Sequence, residues 1–358
     1  MYRAGAGTTR IDVRSVWFLL LYASDHLDRL TDRAQKESLL RGERDNDLLD
    51  AVAETFARDV DARIRSMMSV GYRPRTEALS RVRGRIDHLG TARRRLTESG
   101  RIRCRYTEQT LDLPRYRYML ITLRRAAHRA SSERVRRRCL TTARTLERSG
   151  VAPVDPTAAD LSKEQYGHFD SVDRALLRTS RLVRDMCAPE HTPGDVGLPA
   201  VVDDEPAFRW LFEAAVRGFY RVRLDDATVS APSRPWPASG DPEHLAFLPR
   251  LKTDAVIRGP HHQTVVECKF APMFDQWHGK TMIKPGYVRQ IHSYASVFAG
   301  DATVTTSALL IGALVDGSTG RDLDIELTGI PVRVRQIDLS QPPSAIRESL
   351  TTAIAGWH

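Results

Sequence analysis

Two short apolar runs contain residues of the types that carry out hydrolytic chemistry. The first run, 251–258, contains Asp254, and the second, 263–270, contains Glu267 and Lys269. If the runs are adjacent strands of a hairpin, the three charged side chains meet at one edge. Glu267 and Lys269 then point to the same face, because side chains alternate along a strand. Two carboxylates beside one ammonium predict a site for a hard divalent cation that assists phosphodiester hydrolysis.

The expected cofactor of such a site is Mg²⁺, with Mn²⁺ as a substitute. Asp254 and Glu267 are its expected carboxylate ligands, and the backbone carbonyl of Cys268 is a third. Glu213 lies on the apolar face of a predicted helix, where an unpaired carboxylate is costly. It is therefore a candidate third acid, which would hold the ion through a water. Lys269 would steady the attacking water and the developing negative charge. A simpler interpretation stays open, in which Glu267 and Lys269 form a surface ion pair and Asp254 is a turn residue.

Composition favours a nucleic-acid partner and a reducing compartment. The 358 residues suit two domains, and the formal net charge of +9 comes mostly from arginine, which binds phosphate in a bidentate fork. A GC-rich coding sequence would also enrich arginine. The four cysteines form no Cys-x-x-Cys pair, so we expect neither a zinc site nor disulfides. No apolar run approaches the roughly 18 residues of a membrane span. We expect a cytoplasmic protein with no membrane partner.

The pattern of apolar residues predicts a mainly helical N-terminal half with a small β element, followed by an α/β domain. The connector 189–204, rich in Pro, Gly and acidic residues, is the expected boundary. Expected helices in the first half cover 13–30, 44–70, 115–149 and 163–188, and expected strands cover 79–87 and 101–107. After the boundary we expect a helix at 205–223, apolar runs at 244–250, 253–258 and 263–270, a helix at 286–299, strands at 307–315 and 332–339, and a helix at 342–356.

Six arginines alternate along the two expected strands of the β element. Those that would share a face of each strand are Arg81, Arg83 and Arg85, and Arg101, Arg103 and Arg105. Alternation places them on one side of a strand, where they form a basic surface. This surface would bind either DNA phosphates or a protein partner, and a merely solvated face is the remaining possibility.

The acidic constellation resembles the PD-(D/E)xK nuclease superfamily. Thr253-Asp254 stands where Pro-Asp is usual, and Glu267-Cys-Lys269 is the (D/E)xK element. The run 289–295, Arg-Gln-Ile-His-Ser-Tyr-Ala, is similar to the Gln-x-x-x-Tyr helix of that superfamily. Gln290 and Tyr294 are i, i+4 neighbours that would reach the metal site or the DNA backbone. Core packing is the alternative role of Tyr294. The resemblance implies a restriction-endonuclease-like α/β domain.

The rest of the chain resembles McrC proteins, the nuclease subunits of modification-dependent McrBC restriction systems. The matching segments, in order, are the helix 13–23, the runs 71–75 and 82–87 with Arg-Gly-Arg-Ile-Asp, the strand 102–108, and Leu-Phe-Glu at 211–213. Two features depart from the family pattern: Ser15 stands where Asn is usual, and 113–120 lacks the usual Asn-Arg-x-Leu-Lys run. These departures concern partner contacts more than catalysis.

The resemblance implies a two-part organisation and a motor partner. Residues 1–195 would be a McrC-like domain that docks on a motor, binds DNA or does both, and 200–358 the endonuclease domain. The implied partners are double-stranded DNA and a McrB-like hexameric AAA+ GTPase or ATPase. The chain has no Walker A run of its own, as expected for a subunit that works with a separate motor. The alternatives are a non-catalytic adaptor that activates such a motor and a stand-alone repair or mobile-element nuclease.

Overall fold

The computed structural model describes residues 2–4, 9–11, 13–66, 68–167, 170–188, 205–300, 304–314 and 321–356. The chain forms two compact units, one of Met1–Leu48 with Ala188–His358 and the other of Leu49–Cys187. The expected boundary near 195–200 lies outside the described residues. The structure differs from the expected division at the start of the chain, because residues up to Leu48 belong with the C-terminal unit. No described helix is both long and apolar enough to cross a lipid bilayer.

The described helices occur in both units. In chain order they are α1 Val13–Ala23, α2 His26–Arg29, α3 Arg33–Arg41, α4 Leu48–Arg65, α5 His88–Arg93, α6 Pro114–Arg129, α7 Glu133–Arg148, α8 Ala158–Ser162, α9 Ser171–Cys187, α10 Glu205–Arg223, α11 Pro242–Leu245, α12 Pro285–Ala299 and α13 Pro343–Ala353. A 3-10 turn covers Leu96–Ser99. The expected helices at 205–223 and 286–299 correspond to α10 and α12.

The described strands form one large sheet and several small ones. In chain order they are β1 Tyr2–Ala4, β2 Thr9–Ile11, β3 Gly71–Leu79, β4 Arg85–Ile86, β5 Ile102–Thr110, β6 Thr228–Ser230, β7 Ser233–Arg234, β8 Leu251–Lys252, β9 Ala255–Arg258, β10 His262–Lys269, β11 Phe274–Trp277, β12 Lys280–Ile283, β13 Thr305–Ala313, β14 Leu323–Leu327 and β15 Ile330–Ile337. The six-stranded sheet has the order β14-β15-β13-β10-β9-β6.

The centre of the large sheet is a parallel trio flanked by antiparallel strands. β10 pairs in parallel with β13, and β13 with β15, whereas β9 runs antiparallel to β10. β10 and β13 are buried almost throughout, which suits strands covered on both faces. Helix α12 makes the crossover between them, and its buried residues Ile291, Ala295 and Phe298 belong to the same apolar core as Val265 and Ala308.

The N-terminal segment joins the C-terminal unit through close helix packing. A Cβ added to Gly218 of α10 would lie 1.8 Å from the carbonyl oxygen of Tyr22 in α1, so only glycine permits this approach. The rings of Phe18 and Tyr22 pack with Phe219, whose centroid lies 5.2 Å from that of Tyr22. In α13, Arg347 donates two hydrogen bonds, of 2.6 and 2.8 Å, to the carboxylate of the buried Asp45. Sequence periodicity identifies α1 as a helix but does not show that it packs against α10.

The Leu49–Cys187 unit combines helices with a three-stranded antiparallel sheet of order β3-β5-β4. The helix expected at 115–149 is two helices, because Asp50 accepts hydrogen bonds from the backbone N–H of Ser131 and Ser132 and from the Ser131 hydroxyl at the break. The helix expected at 44–70 corresponds to α4, which ends at Arg65, and residues 71–75 begin β3. The expected strand at 79–87 is wrong, since 80–84 form a turn between β3 and the short β4.

Candidate active site

Asp254, Glu267 and Lys269 lie together at one end of the β9–β10 hairpin, as expected. Ala255 pairs with Val266, which places Asp254 level with Glu267 across the hairpin. The Asp254 carboxylate accepts a hydrogen bond of 2.7 Å from the backbone N–H of Cys268. The backbone thus fixes the aspartate against the strand that carries the other two residues.

A hydrogen-bonded network joins this end of β10 to helix α12. The Lys269 ammonium donates to Glu267 Oε1 at 2.5 Å and to Gln290 Oε1 at 2.9 Å. The amide of Gln290 donates to Glu267 Oε1 at 2.7 Å and to the Tyr294 hydroxyl at 3.2 Å. The structure therefore brings all four residues together. Tyr294 also packs against the apolar core, as its alternative role predicts, and its contact with a metal site or DNA stays a prediction.

Helix α10 brings Glu213 to the same region. Its buried Phe208 and Phe212 pack against Phe270, the residue after Lys269, with ring centroids 5.1 and 6.1 Å apart. One turn after Glu213, Arg217 donates a 2.8 Å hydrogen bond to the backbone carbonyl of Asp254. The sequence reasoning missed Arg217, although its i, i+4 spacing from Glu213 was a usable signal.

Burial raises the pKa of all three carboxyl groups, and the charge of Asp254 raises the pKa of Glu267 and Glu213 further. Burial raises the pKa of Glu267 to about 7, and the negative charge of Asp254 adds to the rise while Lys269 opposes it. Burial also raises the pKa of Asp254, opposed by the Cys268 N–H and Lys269. The pKa of Glu213 rises through burial and then through the charge of Asp254. Mutual repulsion of this kind indicates a site that a cation would stabilise.

The donor atoms fit a hard cation with few protein ligands. Glu267 is only 3% exposed, and its Oε2 atom is buried with no hydrogen-bond partner. Within the described residues, no group of three or more His, Cys, Asp or Glu side chains converges closely enough to hold a metal ion. Asp254 and Glu267 are two carboxylates that could hold such an ion, since Mg²⁺ commonly takes only one or two carboxylates. The Cys268 carbonyl as a further ligand stays a prediction. Glu213 as a ligand remains a prediction.

The expected arginine surface lies in the other unit and is only partly as expected. Arg81 and Arg83 are in the turn before β4 and not on a strand. Arg83 stacks its guanidinium over the Tyr106 ring, 4.1 Å from the centroid. Arg103 and Arg105 both pair with Asp87, at 3.6 and 3.0 Å. Three of the six expected arginines are therefore paired with an acid or stacked on an aromatic ring.

The remaining three arginines, Arg81, Arg85 and Arg101, are exposed and form no ion pair with any described residue. Three more exposed arginines, 93–95, follow at the end of α5. The sequence reasoning missed this run, even though three consecutive basic residues are a visible signal. The basic surface is therefore built largely from turns and helix ends rather than from strand faces.

Comparison with known proteins places the chain in a family. A sequence model described as "McrBC 5-methylcytosine restriction system component" matches residues 8–310. The Type IV methyl-directed restriction enzyme EcoKMcrBC of Escherichia coli K12 is 22% identical over 344 residues, which cover 95% of this chain and 96% of that protein.

Two solved structures were also found. One is a half-complex from a tetradecameric assembly of Thermococcus gammatolerans McrB AAA+ hexamers with bound McrC, with a TM-score of 0.48, 12% identity, and coverage of 95% of this chain and 75% of that chain. The other is the Thermococcus gammatolerans McrBC complex, with a TM-score of 0.36, 14% identity, and coverage of 47% and 50%. The family match confirms the resemblance noted in the sequence and spans most of the chain. The chain therefore belongs to the family of McrBC 5-methylcytosine restriction system components.

Proposed function

We propose that this chain is the Mg²⁺-dependent endonuclease subunit of a McrBC-type restriction system and that it hydrolyses phosphodiester bonds of double-stranded DNA. One observation carries the proposal. The buried Glu267 is held through one oxygen by Lys269 and Gln290, while its other oxygen lacks a partner and Asp254 lies opposite. A buried ion pair with this spare acceptor is costly as a purely structural feature, and a metal site accounts for it.

The arrangement of elements supports assignment to the PD-(D/E)xK superfamily. An acid precedes β9, the Glu-x-Lys element ends β10, and helix α12 supplies Gln290 and Tyr294 before the parallel strand β13. Helix α10 adds Glu213 from the preceding element. This order is the one expected from the sequence for a restriction-endonuclease-like domain.

Each residue has a role that follows from its contacts. Mg²⁺, when bound, supplies charge stabilisation and an activated nucleophile at neutral pH. Asp254 and Glu267 would hold it, and the Cys268 N–H keeps Asp254 oriented. Lys269 is fixed by two acceptors and presents its remaining donor to the substrate phosphate or the incoming water. Gln290 orients both Glu267 and Lys269, which makes it a positioning residue.

The proposed partners are DNA and a McrB-like AAA+ GTPase or ATPase. Support comes from membership in the family and from a curated relative that is a methyl-directed restriction enzyme covering nearly the whole chain. The absence of a Walker A run in the sequence agrees with a separate motor. We assign the docking or DNA-binding role of the N-terminal region to Leu49–Cys187, since the residues before it pack with the catalytic unit.

Plasmid cleavage tests the proposal. The wild-type chain, Asp254→Ala and Lys269→Ala are incubated with Mg²⁺, each with and without the candidate AAA+ partner and GTP or ATP. Asp226→Asn is the matched control, because Asp226 is an exposed acid of the same unit outside the site. We expect cleavage by the wild type and the control only. Equal stimulation of the partner's NTPase by all variants, with no cleavage under any condition, would establish the adaptor instead.

A further inference from the structure

An exposed β-hairpin lies between the catalytic strand and the helix that carries Gln290. β11 and β12 pair antiparallel from Phe274–Ile283 to Trp277–Lys280. We call residues 274–283 the finger hairpin. Its two turn residues, His278 and Gly279, have φ angles of 47° and 76°. Positive φ at both positions is typical of a type I′ turn, which matches the twist of paired strands and makes a tight, well-defined tip.

The two faces of the finger hairpin differ. Phe274 and Ile283, which share one face at the base, pack against the buried core that contains Met273 and Leu310. The backbone N–H of Lys284 donates to the carbonyl of Met273 at 2.9 Å and closes the base. The base is therefore anchored in the protein, so the tip is presented in one orientation.

The opposite face projects an apolar wedge with a cation beside it. Trp277 and Lys280 pair across the tip, and Met282 follows on the same face. Trp277 is 65% exposed, and Met282 is exposed as well. Lys280 forms no ion pair with any described residue. The one acid of the hairpin is Asp275, and its carboxylate oxygen Oδ1 lies 3.7 Å from the ammonium nitrogen of Lys284. An exposed indole next to an unpaired ammonium suits a partner with aromatic surfaces and negative charge.

The finger hairpin is connected directly to the candidate active site. The ammonium of Lys269 lies 5.1 Å from the centroid of the Tyr287 ring, and the ammonium of Lys284 lies 5.8 Å from the same centroid. Tyr287 thus stands between the catalytic lysine and the base of the hairpin. Any phosphodiester held at Lys269 has the finger hairpin beside it.

We propose that the finger hairpin enters a groove of the DNA beside the cleaved bond, where Trp277 stacks against or between bases and Lys280 contacts a phosphate. This inference rests on the proposed nuclease function and names a substrate contact for it. The three residue steps from the anchored Phe274 to Trp277, of about 3.4 Å each, give a reach of about 10 Å, which exceeds the depth of about 8 Å of either groove of B-DNA. A two-stranded ribbon fits the major groove, and an apolar side chain inserted between base steps unstacks them.

Duplex binding by the full-length chain, followed by fluorescence anisotropy of a labelled duplex without divalent metal, tests this proposal. We expect Trp277→Ala to weaken binding by about 5- to 100-fold, as for loss of one aromatic–base stack, and Trp277→Phe to retain most of the affinity. Lys280→Ala should lower the salt slope of binding by about one. Ile325→Ala, which changes an exposed apolar residue of the edge strand β14, is the control and should bind as the wild type does.

A second readout separates stacking from a structural role. A duplex carrying 2-aminopurine should brighten on binding of the wild type, because an unstacked base is less quenched, and should stay dark with Trp277→Ala. The melting temperature of Trp277→Ala should stay within about 1 °C of the wild type, since removal of an exposed side chain changes stability little.

The outcomes distinguish this proposal from the proposed function. If the wild type cleaves plasmid DNA but Trp277→Ala binds duplex and brightens 2-aminopurine as the wild type does, the finger hairpin is not a DNA contact. Reduced stimulation of the AAA+ partner by Trp277→Ala with unchanged DNA affinity would also overturn it and identify a protein-docking element. Failure of the wild type to cleave under any condition counts against the nuclease function itself.

Discussion

Charged side chains are arranged in opposite ways at the candidate active site of the large sheet and in the arginine-rich small sheet. At the end of β10, a few charges are buried, and each is fixed by a named partner, as Lys269 is by Glu267 and Gln290. Around the small sheet, many charged side chains are exposed. Half of the six expected arginines are paired with an acid or stacked on a ring, and Arg105, for example, donates a hydrogen bond to Asp87. Buried charges interact strongly because water does not screen them, whereas exposed charges are screened and act mainly as a sum.

This difference predicts how each region responds to substitution. A single change among the buried residues should alter activity or metal binding by a large factor. A single change among the exposed arginines should alter DNA or partner binding only slightly, and several together should add.

Lys269→Ala should reduce DNA cleavage by about 10²- to 10³-fold, the usual loss when a donor that stabilises developing charge is removed. Initial rates of plasmid cleavage at saturating Mg²⁺ measure this effect. The lysine is held by two side chains, so Gln290→Ala should cause a smaller loss by letting it move. A Lys269→Ala rate within threefold of the wild type would contradict both the role of the lysine and the contrast with the arginines.

His26 should make the unit formed by Met1–Leu48 and Ala188–His358 acid-sensitive. The side chain is 3% exposed, and burial, aided by the charge of Arg29, lowers its pKa to about 4. The unfolded chain, with a His pKa of about 6.5, therefore binds the proton more tightly than the folded chain does. Stability from the neutral histidine is present above the unfolded pKa and is lost as the pH falls from about 6.5 towards 4. The full effect is of the order of 3 kcal/mol.

Urea unfolding at pH 7.5 and pH 4.5 measures this dependence. His26→Gln should flatten the difference between the two pH values, while His88→Gln, which changes an exposed residue beside the small sheet, should leave it as in the wild type. An equal pH dependence in wild type and His26→Gln would show that other groups control the acid response.

Mg²⁺ or Mn²⁺ should raise the melting temperature, because a cation relieves the repulsion among Asp254, Glu267 and Glu213 and binds only the folded chain. At about ten to one hundred times the dissociation constant, the gain is about 1.4 to 2.7 kcal/mol, or a few degrees. Thermal unfolding with EDTA and with Mg²⁺ measures it.

The triple variant with Glu213, Asp254 and Glu267 changed to Ala should lose this metal-dependent shift. In EDTA, loss of the contacts of these side chains should lower the melting temperature. Removal of three repelling acids should offset part of that decrease. Persistence of the full shift in this variant would place the metal elsewhere. Asp226→Asn serves again as the control that should keep the shift.

The exposed arginines should have the smallest individual effects. Arg81→Ala, Arg85→Ala and Arg101→Ala should each lower the salt slope of duplex binding by about one if they contact phosphates. Arg103→Ala and Arg105→Ala should change it less, because Asp87 already pairs with both side chains. Salt titrations of duplex affinity measure the slopes.

If the slopes stay constant, the same variants should be tested for stimulation of the AAA+ partner's NTPase. Loss of stimulation with unchanged slopes would assign the surface to the motor. A variant that combines Arg81→Ala, Arg85→Ala and Arg101→Ala should be measured in both ways. If neither the salt slope nor the stimulation changes, these arginines are only a solvated face.

The sequence by itself determined the candidate catalytic constellation, because its geometry is local. Asp254, Glu267 and Lys269 lie on two consecutive strands, so alternation and a hairpin suffice to bring them together. The i, i+4 spacing of Gln290 and Tyr294 likewise fixed them on one face of α12. The family resemblance and most of the C-terminal elements followed from the same local patterns.

Local patterns failed where distant contacts decide the structure. The apparent single helix at 115–149 is divided because Asp50 caps the break from another helix. Arg81 and Arg83 do not lie on a strand, since Gly84 has a φ of 68° and approaches the β5 backbone within a turn before β4. The paired strands β11 and β12, with their tip at 277–280, are not among the elements expected from the sequence.

Only the tertiary structure decided which segments share a unit and which charged side chains stay unpaired and exposed. Nothing in the first 48 residues alone shows that α1 packs against α10, because that contact depends on a glycine about two hundred residues later that lets two backbones meet. In the same way, the sequence supplies six alternating arginines, but the fold places Asp87 beside two of them and Tyr106 beneath a third. Burial and long-range pairing set the strength of a charge, and both are properties of the folded chain.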